Sequence, residues 1–273
     1  MRDFIATNSF NAVAPGATAT LDLPTGALIY HGLQILYGTG TAGGPTQANI
    51  EAEITAVRIK LNGKVQRRFS AAELFAINAF HGVGFETGIV QVFFSEPWRR
   101  TAEGEDALAW GMLDIDTFQI EVDIAGSATS PTLEARAEVM RGNRNLGPIT
   151  KWRRYTVPVS GVGTVNYTTL PKNDAYFKLH CFSGDVTAID VRVDQLERFE
   201  ATAARNVARL KQVYAKAPQS GVFHAVFDPT DRVSDALSMR RPDGMEVSEF
   251  RVDFEMGAAN SFNMITETIG PRD

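Results

Sequence analysis

The chain has 273 residues, of which 44% are hydrophobic and 22% charged, and its formal net charge is −5. This length suits two domains with a core each, and the negative charge argues against a general nucleic-acid-binding surface, which needs excess lysine and arginine. A single cysteine excludes an intramolecular disulfide, no apolar run reaches membrane-span length, and the amino terminus lacks a secretory signal, so we expect a cytoplasmic product.

In chain order, short segments with alternating apolar residues, bounded by glycine, proline, asparagine and aspartate, predict β-strands. In the first half the predicted strands are residues 18–23, 28–37, 55–61, 89–94 and 117–124. Residues 70–80 predict a helix, because Ser70 suits an N-cap and Glu73 stands three positions later, as in a capping box.

The second half follows the same plan. Its predicted strands are residues 164–169, 175–182, 187–193, 222–227 and 247–256, and residues 201–216 predict one amphipathic helix. Short strands at this spacing are typical of a sandwich or barrel. We therefore predict an all-β fold of two tandem β-sandwiches, each with one inserted helix.

An internal repeat supports two similar domains. Residues 54–61 recur as 186–193 and residues 118–123 recur as 250–255, both at an offset of 132, and residues 88–94 recur as 221–227 at 133. A period this long indicates duplicated domains, because solenoid repeats run to roughly 20–50 residues. The predicted boundaries are 1–130 for the first domain, 131–160 for a connecting segment and 161–273 for the second domain.

Two kinds of segment interrupt the repeat. The first half holds extra residues within 38–53, and the long loops 96–110 and 228–244 occupy equivalent places. Long loops on a rigid β-framework commonly carry contacts with other molecules.

Catalytic and metal-binding patterns are weak. Residues 38–43 match G-x-G-x-x-G, but in all-β surroundings a loop is the better interpretation. The four histidines are dispersed, the sequence has no G-x-S-x-G elbow, and Cys181 lies in an apolar strand. Carboxylates alternate at 114/116, 121/123 and 253/255, which predicts solvated polar stripes, with a calcium site as the alternative.

Tryptophan stands beside basic residues in two places, at Trp98, Arg99 and Arg100 and again at Lys151, Trp152, Arg153 and Arg154. Such clusters suit an anionic partner or a lipid headgroup region. The alternative is a loop bound by salt bridges to a neighbouring domain or subunit, and for the first cluster we favour a protein–protein role.

A family resemblance runs along nearly the whole chain. Its residues are 1–4, 8–9, 14–16, 23–26, the strand-and-turn 57–64, Pro131, Leu133, Trp152–Arg154 and 170–171. In order and spacing they resemble the major capsid proteins of corticoviruses, the membrane-containing icosahedral phages. The stretch 38–53 looks longer here, and residues 260–273 match poorly.

The resemblance implies a double jelly roll without catalytic activity. It implies a pseudo-hexagonal homotrimer that tiles a virion shell over an internal lipid membrane, with vertex and minor membrane proteins as partners, no specific nucleic acid, and synthesis in a bacterial cytoplasm. No cofactor is required, although structural calcium is implied without ligands that match positions in this sequence.

We predict contact residues from the clusters and loops above. Subunit or capsid contacts are predicted at Trp98, Arg99, Arg100, Lys151, Trp152, Arg153, Arg154, Arg232, Arg240 and Arg241, and membrane proximity at Arg2 and Phe4. Two alternatives stay open. A bicupin-like metal enzyme would need clustered histidines, and a tandem carbohydrate-binding module would need exposed aromatic residues on a concave face.

Overall fold

Short antiparallel strands dominate the computed structural model, which describes residues 1–40, 44–99 and 101–273. By its internal contacts the chain divides into two units. Unit 1 comprises residues 1–78, 83–150 and 271–273, and unit 2 comprises residues 79–82 and 151–270. Each of the ten predicted strands overlaps an observed strand, and both predicted helices are present.

Unit 1 contains two sets of strands. The strands are β1 (Arg2–Ala6), β2 (Thr18–Leu23), β3 (Leu28–Gly38), β4 (Ile54–Leu61), β5 (Lys64–Phe69), β6 (Ile89–Phe93), β7 (Trp110–Gly111), β8 (Phe118–Ile124) and β9 (Thr132–Arg141). One set has the order β1-β9-β3-β6, with β7 also paired to β3, and the other has the order β5-β4-β8-β2. The helices are α1 (Gln47–Glu53), α2 (Ala71–Phe80) and α3 (Ala102–Asp106).

Unit 2 repeats this arrangement. Its strands are β10 (Ile149–Val157), β11 (Gly163–Tyr167), β12 (Ala175–Phe182), β13 (Val186–Val193), β14 (Leu196–Thr202), β15 (Phe223–Val226), β16 (Phe250–Met256) and β17 (Phe262–Gly270). One set has the order β15-β12-β17-β10 and the other β11-β16-β13-β14. The helix α4 (Ala203–Tyr214) follows β14, and a 3₁₀ turn covers Val233–Asp235.

The core of each unit lies between its two sets of strands. Residues of β8 alternate between buried and half-buried along the strand, as expected when one face of a sheet packs on a core. In unit 1, the ring of Tyr30 on β3 meets Phe118 on β8 edge to face, with centroids 5.0 Å apart. In unit 2, a cluster of buried residues combines β10, β12 and β17 with β13 and β16. Each unit is therefore a β-sandwich, and together they make a double jelly roll.

A tyrosine anchor is repeated in the two cores. The Tyr30 hydroxyl donates to the Pro24 carbonyl at 2.8 Å, and the Tyr176 hydroxyl donates to the Pro171 carbonyl at 2.6 Å. The Tyr176 ring packs on Phe250, the counterpart of Phe118, at 4.8 Å. Because a buried hydroxyl needs a partner, each core fixes the segment before its third strand, β3 or β12, in the same way.

The hairpin turn after each repeated strand is also duplicated. Residues 62 and 63 join β4 to β5, residues 194 and 195 join β13 to β14, and all four have positive φ. Asn62 accepts hydrogen bonds through Oδ1 from the amides of residues 116 and 117. Asp194 accepts from the amides of residues 248 and 249 with one oxygen, which is the same pattern at the offset of 132.

Unit 1 departs from the prediction of one helix per unit. The segment 38–53 contains α1, with Thr46 and Asn49 forming a capping box, and the loop 96–110 contains α3. The capping box predicted for α2 is confirmed, since the amide of Ser70 donates to the Glu73 carboxylate at 2.8 Å and the amide of Glu73 donates to Ser70 Oγ.

The segment 131–160, predicted to connect the domains, consists mostly of two strands. Most of its first half is β9, which pairs with β1 and β3 in unit 1, and β10 passes from residue 149 into unit 2. Its alternating apolar residues are therefore those of sandwich strands.

Candidate functional site

The Trp98 loop of unit 1 is held by an internal ion pair. The Arg99 guanidinium lies 2.7 Å from Glu96, and both side chains are almost fully buried. Thr150 Oγ1 donates to the same Glu96 carboxylate at 2.8 Å. Arg99 thus stabilises the loop from inside, and this corrects its prediction as a surface contact. Trp98 is half-buried against Phe93, and Arg100 lies outside the described residues.

The basic cluster on β10 is also partly internal. Lys151 is buried and its ammonium lies 2.7 Å from Asp174, while the Trp152 side chain is buried too. A buried lysine needs a carboxylate partner, so Lys151 and Trp152 are structural residues of unit 2, which corrects their prediction as contacts. Arg153 and Arg154 are half-buried and remain predicted contacts.

The second long loop carries the other predicted arginines. Arg232 and Arg240 are exposed, and Arg241 is half-buried with its Nε 2.7 Å from Asp194. Two ion pairs fasten the start of the loop: Lys178 lies 3.0 Å from Asp228, and Lys216 lies 2.6 Å from Asp231. The three arginines therefore lie on a loop whose start is held in place by two ion pairs.

At the amino terminus, the two predicted membrane-proximal residues differ. The Arg2 guanidinium lies 2.7 Å from Glu105 and 2.6 Å from Asp106 on α3, so its charge is compensated within unit 1. Phe4 is 51% exposed, with the Arg136 guanidinium 5.7 Å from the centre of its ring. Membrane proximity remains a prediction, and Phe4 is the residue of the two with free apolar surface.

Three of the alternating carboxylates, Glu121, Asp123 and Asp253, lie beside arginine side chains. Arg58 on β4 donates to Glu121 at 2.7 Å and to both oxygens of Asp123 at 2.6 Å. Its hydrogen bonds hold the pKa of Asp123 below its ordinary value. Asp253 accepts from Asn166 at 2.6 Å, and Arg251 lies 3.0 Å from it. These contacts agree with the interpretation as polar stripes.

The sequence missed a buried polar cluster in unit 2. Lys178 contacts Asp228 and, at 3.4 Å, Glu267; His180 lies 3.4 Å from the same glutamate. His180 Nδ1 and His224 Nδ1 are 2.6 Å apart, so one must donate and the other accept. Burial lowers the pKa of His224 well below its ordinary value, with the neighbouring His180 adding to the effect.

The cluster corrects the expectation of dispersed histidines, since strand pairing sets His180 opposite His224. Alternation would have found it: residues 178 and 180 share one face of β12, opposite Leu179 and Cys181 in the core. Burial also raises the pKa of the Cys181 thiol, which makes it unreactive.

Within the ranges that the structure describes, no three or more histidine, cysteine, aspartate or glutamate side chains are grouped so that they could hold a metal ion. We therefore assign no calcium ligands. The described helices include none that is both long and apolar enough to span a membrane.

Comparisons with known proteins agree with this architecture. A model of the viral coat protein P2 N-terminal domain matches residues 4–140, and one of the viral coat protein P2 C-terminal domain matches residues 149–272. The chain is 26% identical over 205 residues to the major capsid protein P2 of Pseudoalteromonas phage PM2, and the match covers 71% of this chain and 71% of that protein.

Solved structures show the same fold. The crystal structure of the major capsid protein P2 from bacteriophage PM2 matches with a TM-score of 0.87 at 22% identity, over 99% of this chain and 97% of that one. The STIV MCP structure matches with a TM-score of 0.69 at 9% identity, over 98% of this chain and 96% of that one.

Two tandem sandwiches with this strand order define the class of double jelly-roll coat proteins. Because the two family models together span most of its length, the chain belongs to the viral coat protein P2 family.

Proposed function

We propose that this chain is the major capsid protein of a membrane-containing icosahedral phage and has no catalytic role. The observation that carries the proposal is the match of both coat-protein domain models, in order, to the two jelly-roll units. The likeness to the PM2 capsid protein supports a place in the virion shell, with this chain itself as the main partner.

The shell unit in this proposal is a homotrimer. Two similar units per copy give three copies six similar lobes, which suit pseudo-hexagonal tiling. A closed trimer of this kind buries about 2,000 Å² or more, as obligate oligomers do. The predicted contact residues whose side chains can reach a neighbour are exposed Arg232 and Arg240 and half-buried Trp98, Arg153, Arg154 and Arg241.

The shell encloses an internal membrane in this proposal, with vertex and minor membrane proteins as further partners. Phe4 supports a membrane-facing amino terminus, because an exposed aromatic side chain next to a cation suits the headgroup region. Bound structural calcium stays part of the proposal as a property to be tested in the assembled trimer.

Native mass spectrometry of the purified protein, with and without a calcium chelator, tests the proposal. We expect a mass of three chains that persists on dilution, and a lighter species after chelation if calcium holds the trimer. A monomer that carries one zinc, iron or manganese ion would contradict the capsid function and favour the bicupin enzyme.

A further inference from the structure

A basic cleft opens on unit 2 between the edge strand β14, the helix α4 and the loop after β15. Its volume is about 750 Å³, which is in the range of binding sites for small molecules or a few residues of peptide. Four arginines and one aspartate are its charged lining residues: Arg198, Arg209, Arg240, Arg241 and Asp235. This positive lining contrasts with the net charge of −5 of the whole chain.

The arginines are available for a ligand to different degrees. Among the described residues, the exposed Arg198 side chain makes no hydrogen bond or ion pair, and the Arg240 guanidinium donates only to the Gly244 carbonyl, at 3.3 Å. Arg209 lies over the Tyr214 ring at 5.1 Å, which orients its guanidinium and leaves its N–H groups without a carboxylate. Arginine N–H groups in a fixed fork match a carboxylate in two-point contact.

Arg241 is held in place by the repeated hairpin turn. Asp194 uses one oxygen for the amides of residues 248 and 249, and its other oxygen accepts from Arg241 Nε at 2.7 Å. The counterpart of Asp194 in unit 1 is Asn62, which offers no second carboxylate oxygen. Asp194 therefore holds the Arg241 guanidinium in a fixed position at the cleft of unit 2.

The remaining walls are apolar or aromatic. Phe227, Leu237, Pro229 and Pro242 line the cleft with Tyr214. Such walls suit the methylene groups of glutamate and neighbouring apolar side chains. The negative charge of the rest of the chain would also repel a nucleic acid that extends beyond the cleft.

We propose that this cleft is a docking site for an acidic polypeptide segment of a neighbouring protein chain. Arg198, Arg209 and Arg240 bind its carboxylates, and the aromatic and proline residues take its apolar groups. Binding at this cleft goes beyond the proposed capsid function, because an acidic partner segment on the surface of unit 2 is independent of trimer formation.

Fluorescence anisotropy with a labelled hexaglutamate peptide tests the proposal on the full chain. We expect binding that weakens with added salt and that weakens about tenfold or more in the double variant R198A/R240A. The matched control is Arg205→Ala, an exposed arginine on α4 outside the cleft, for which the affinity should change less than about twofold. Circular dichroism of each variant establishes that it is folded.

Absence of peptide binding, or equal binding by R198A/R240A, would overturn the proposal. Tighter binding of a labelled single-stranded oligonucleotide of equal charge would overturn it in favour of nucleic acid. Native mass spectra of the same samples report the trimer separately, so failure of the capsid function is distinguishable.

Discussion

Lys178 illustrates how one residue in unit 2 determines the stability of several others. Its side chain is 1% exposed and contacts two buried carboxylates, Asp228 and Glu267. A buried ion pair adds little net stability, but removing one partner leaves uncompensated charge in the interior. Lys178 is therefore required for stability because, without its ammonium, the buried carboxylates of Asp228 and Glu267 would lose this cation.

We expect Lys178→Met to lower the free energy of unfolding by about 3–5 kcal/mol, since both carboxylates lose their cation. Urea unfolding at neutral pH measures this. Lys211→Met, on the exposed face of α4, is the control and should change stability by less than about 0.5 kcal/mol. If the two changes altered the free energy of unfolding equally, the loss of a buried cation would cost no more than the loss of an exposed one.

Gln195 affects the stability of unit 2 through its backbone conformation. Its φ is +67° in the turn between β13 and β14, where the equivalent turn of unit 1 has Gly63 at +79°. Residues with a Cβ rarely adopt this region, and hairpin turns with two positive φ angles favour glycine at the second position.

We expect Gln195→Gly to raise the free energy of unfolding by about 0.5–1 kcal/mol, since relief of backbone strain exceeds the added freedom of the unfolded chain. The reciprocal change Gly63→Gln should destabilise unit 1. Thermal unfolding of both variants, monitored by circular dichroism, would refute this argument if neither melting temperature moved.

At the scale of elements, α2 shows how a short sequence signal determines a helix start. Ser70 and Glu73 exchange hydrogen bonds with each other's amides. We expect Ser70→Ala to cost about 1 kcal/mol, because one amide at the first turn of α2 loses its acceptor. Chemical denaturation measures the cost. Ser160→Ala, in an exposed loop, serves as the control, and an equally large loss there would contradict the capping argument.

Most elements with regular alternation were predicted from the sequence, although β9 alternates too and lay in the segment predicted to connect the domains. Strands β2 and β12 were predicted with the observed bounds. Strand β14 was missed because it is mostly exposed, with charges at Glu197, Arg198 and Glu200. Strand β17 was missed because Glu267 and Thr268 are buried with polar partners, which obscures the apolar pattern.

The site was less predictable than the fold. A run such as Lys151–Arg154 does not reveal from its composition which side chains face inward, since that depends on a carboxylate, Asp174, more than twenty positions away. The cleft arginines come from β14, α4 and the second long loop, so only the fold brings them together. By contrast, the duplicated turns at Asn62 and Asp194 could be located from the offset of 132.

At the scale of the whole molecule, acid should destabilise the protein through unit 2. Burial alone would raise the pKa of Glu267. The charge of Lys178 and the hydrogen bond with His180 nevertheless hold this pKa well below its ordinary value. The stability that this carboxylate contributes is present above its unfolded pKa and is lost as the pH falls through the folded one. His224, with a lowered pKa, stays neutral in the folded protein while its unfolded form takes up a proton below about pH 6.5.

Both groups act in the same direction but over different pH ranges. We expect the free energy of unfolding to fall between about pH 6.5 and pH 5.5 because of His224, and to fall further below about pH 4.5, the ordinary pKa of a glutamate, because of Glu267. Below about pH 6.5 the contribution of His224 should be about 1 kcal/mol per pH unit. Urea titrations at several pH values measure the slope, and His224→Gln should reduce it even if this variant is less stable overall. A slope unchanged by the substitution would exclude His224 as its source.

Because the single cysteine of the chain is buried, its reaction with a thiol reagent can measure whether unit 2 is folded inside an assembled particle. Cys181 is fully buried in β12 and its thiol is unreactive while unit 2 is closed. A thiol reagent added to assembled shells should therefore label only copies whose second jelly roll has opened, in proportion to the open population when closing is fast. The number of labelled chains per shell, measured by mass, would show under which conditions assembly protects unit 2. It would also show at which temperature or pH unit 2 first opens.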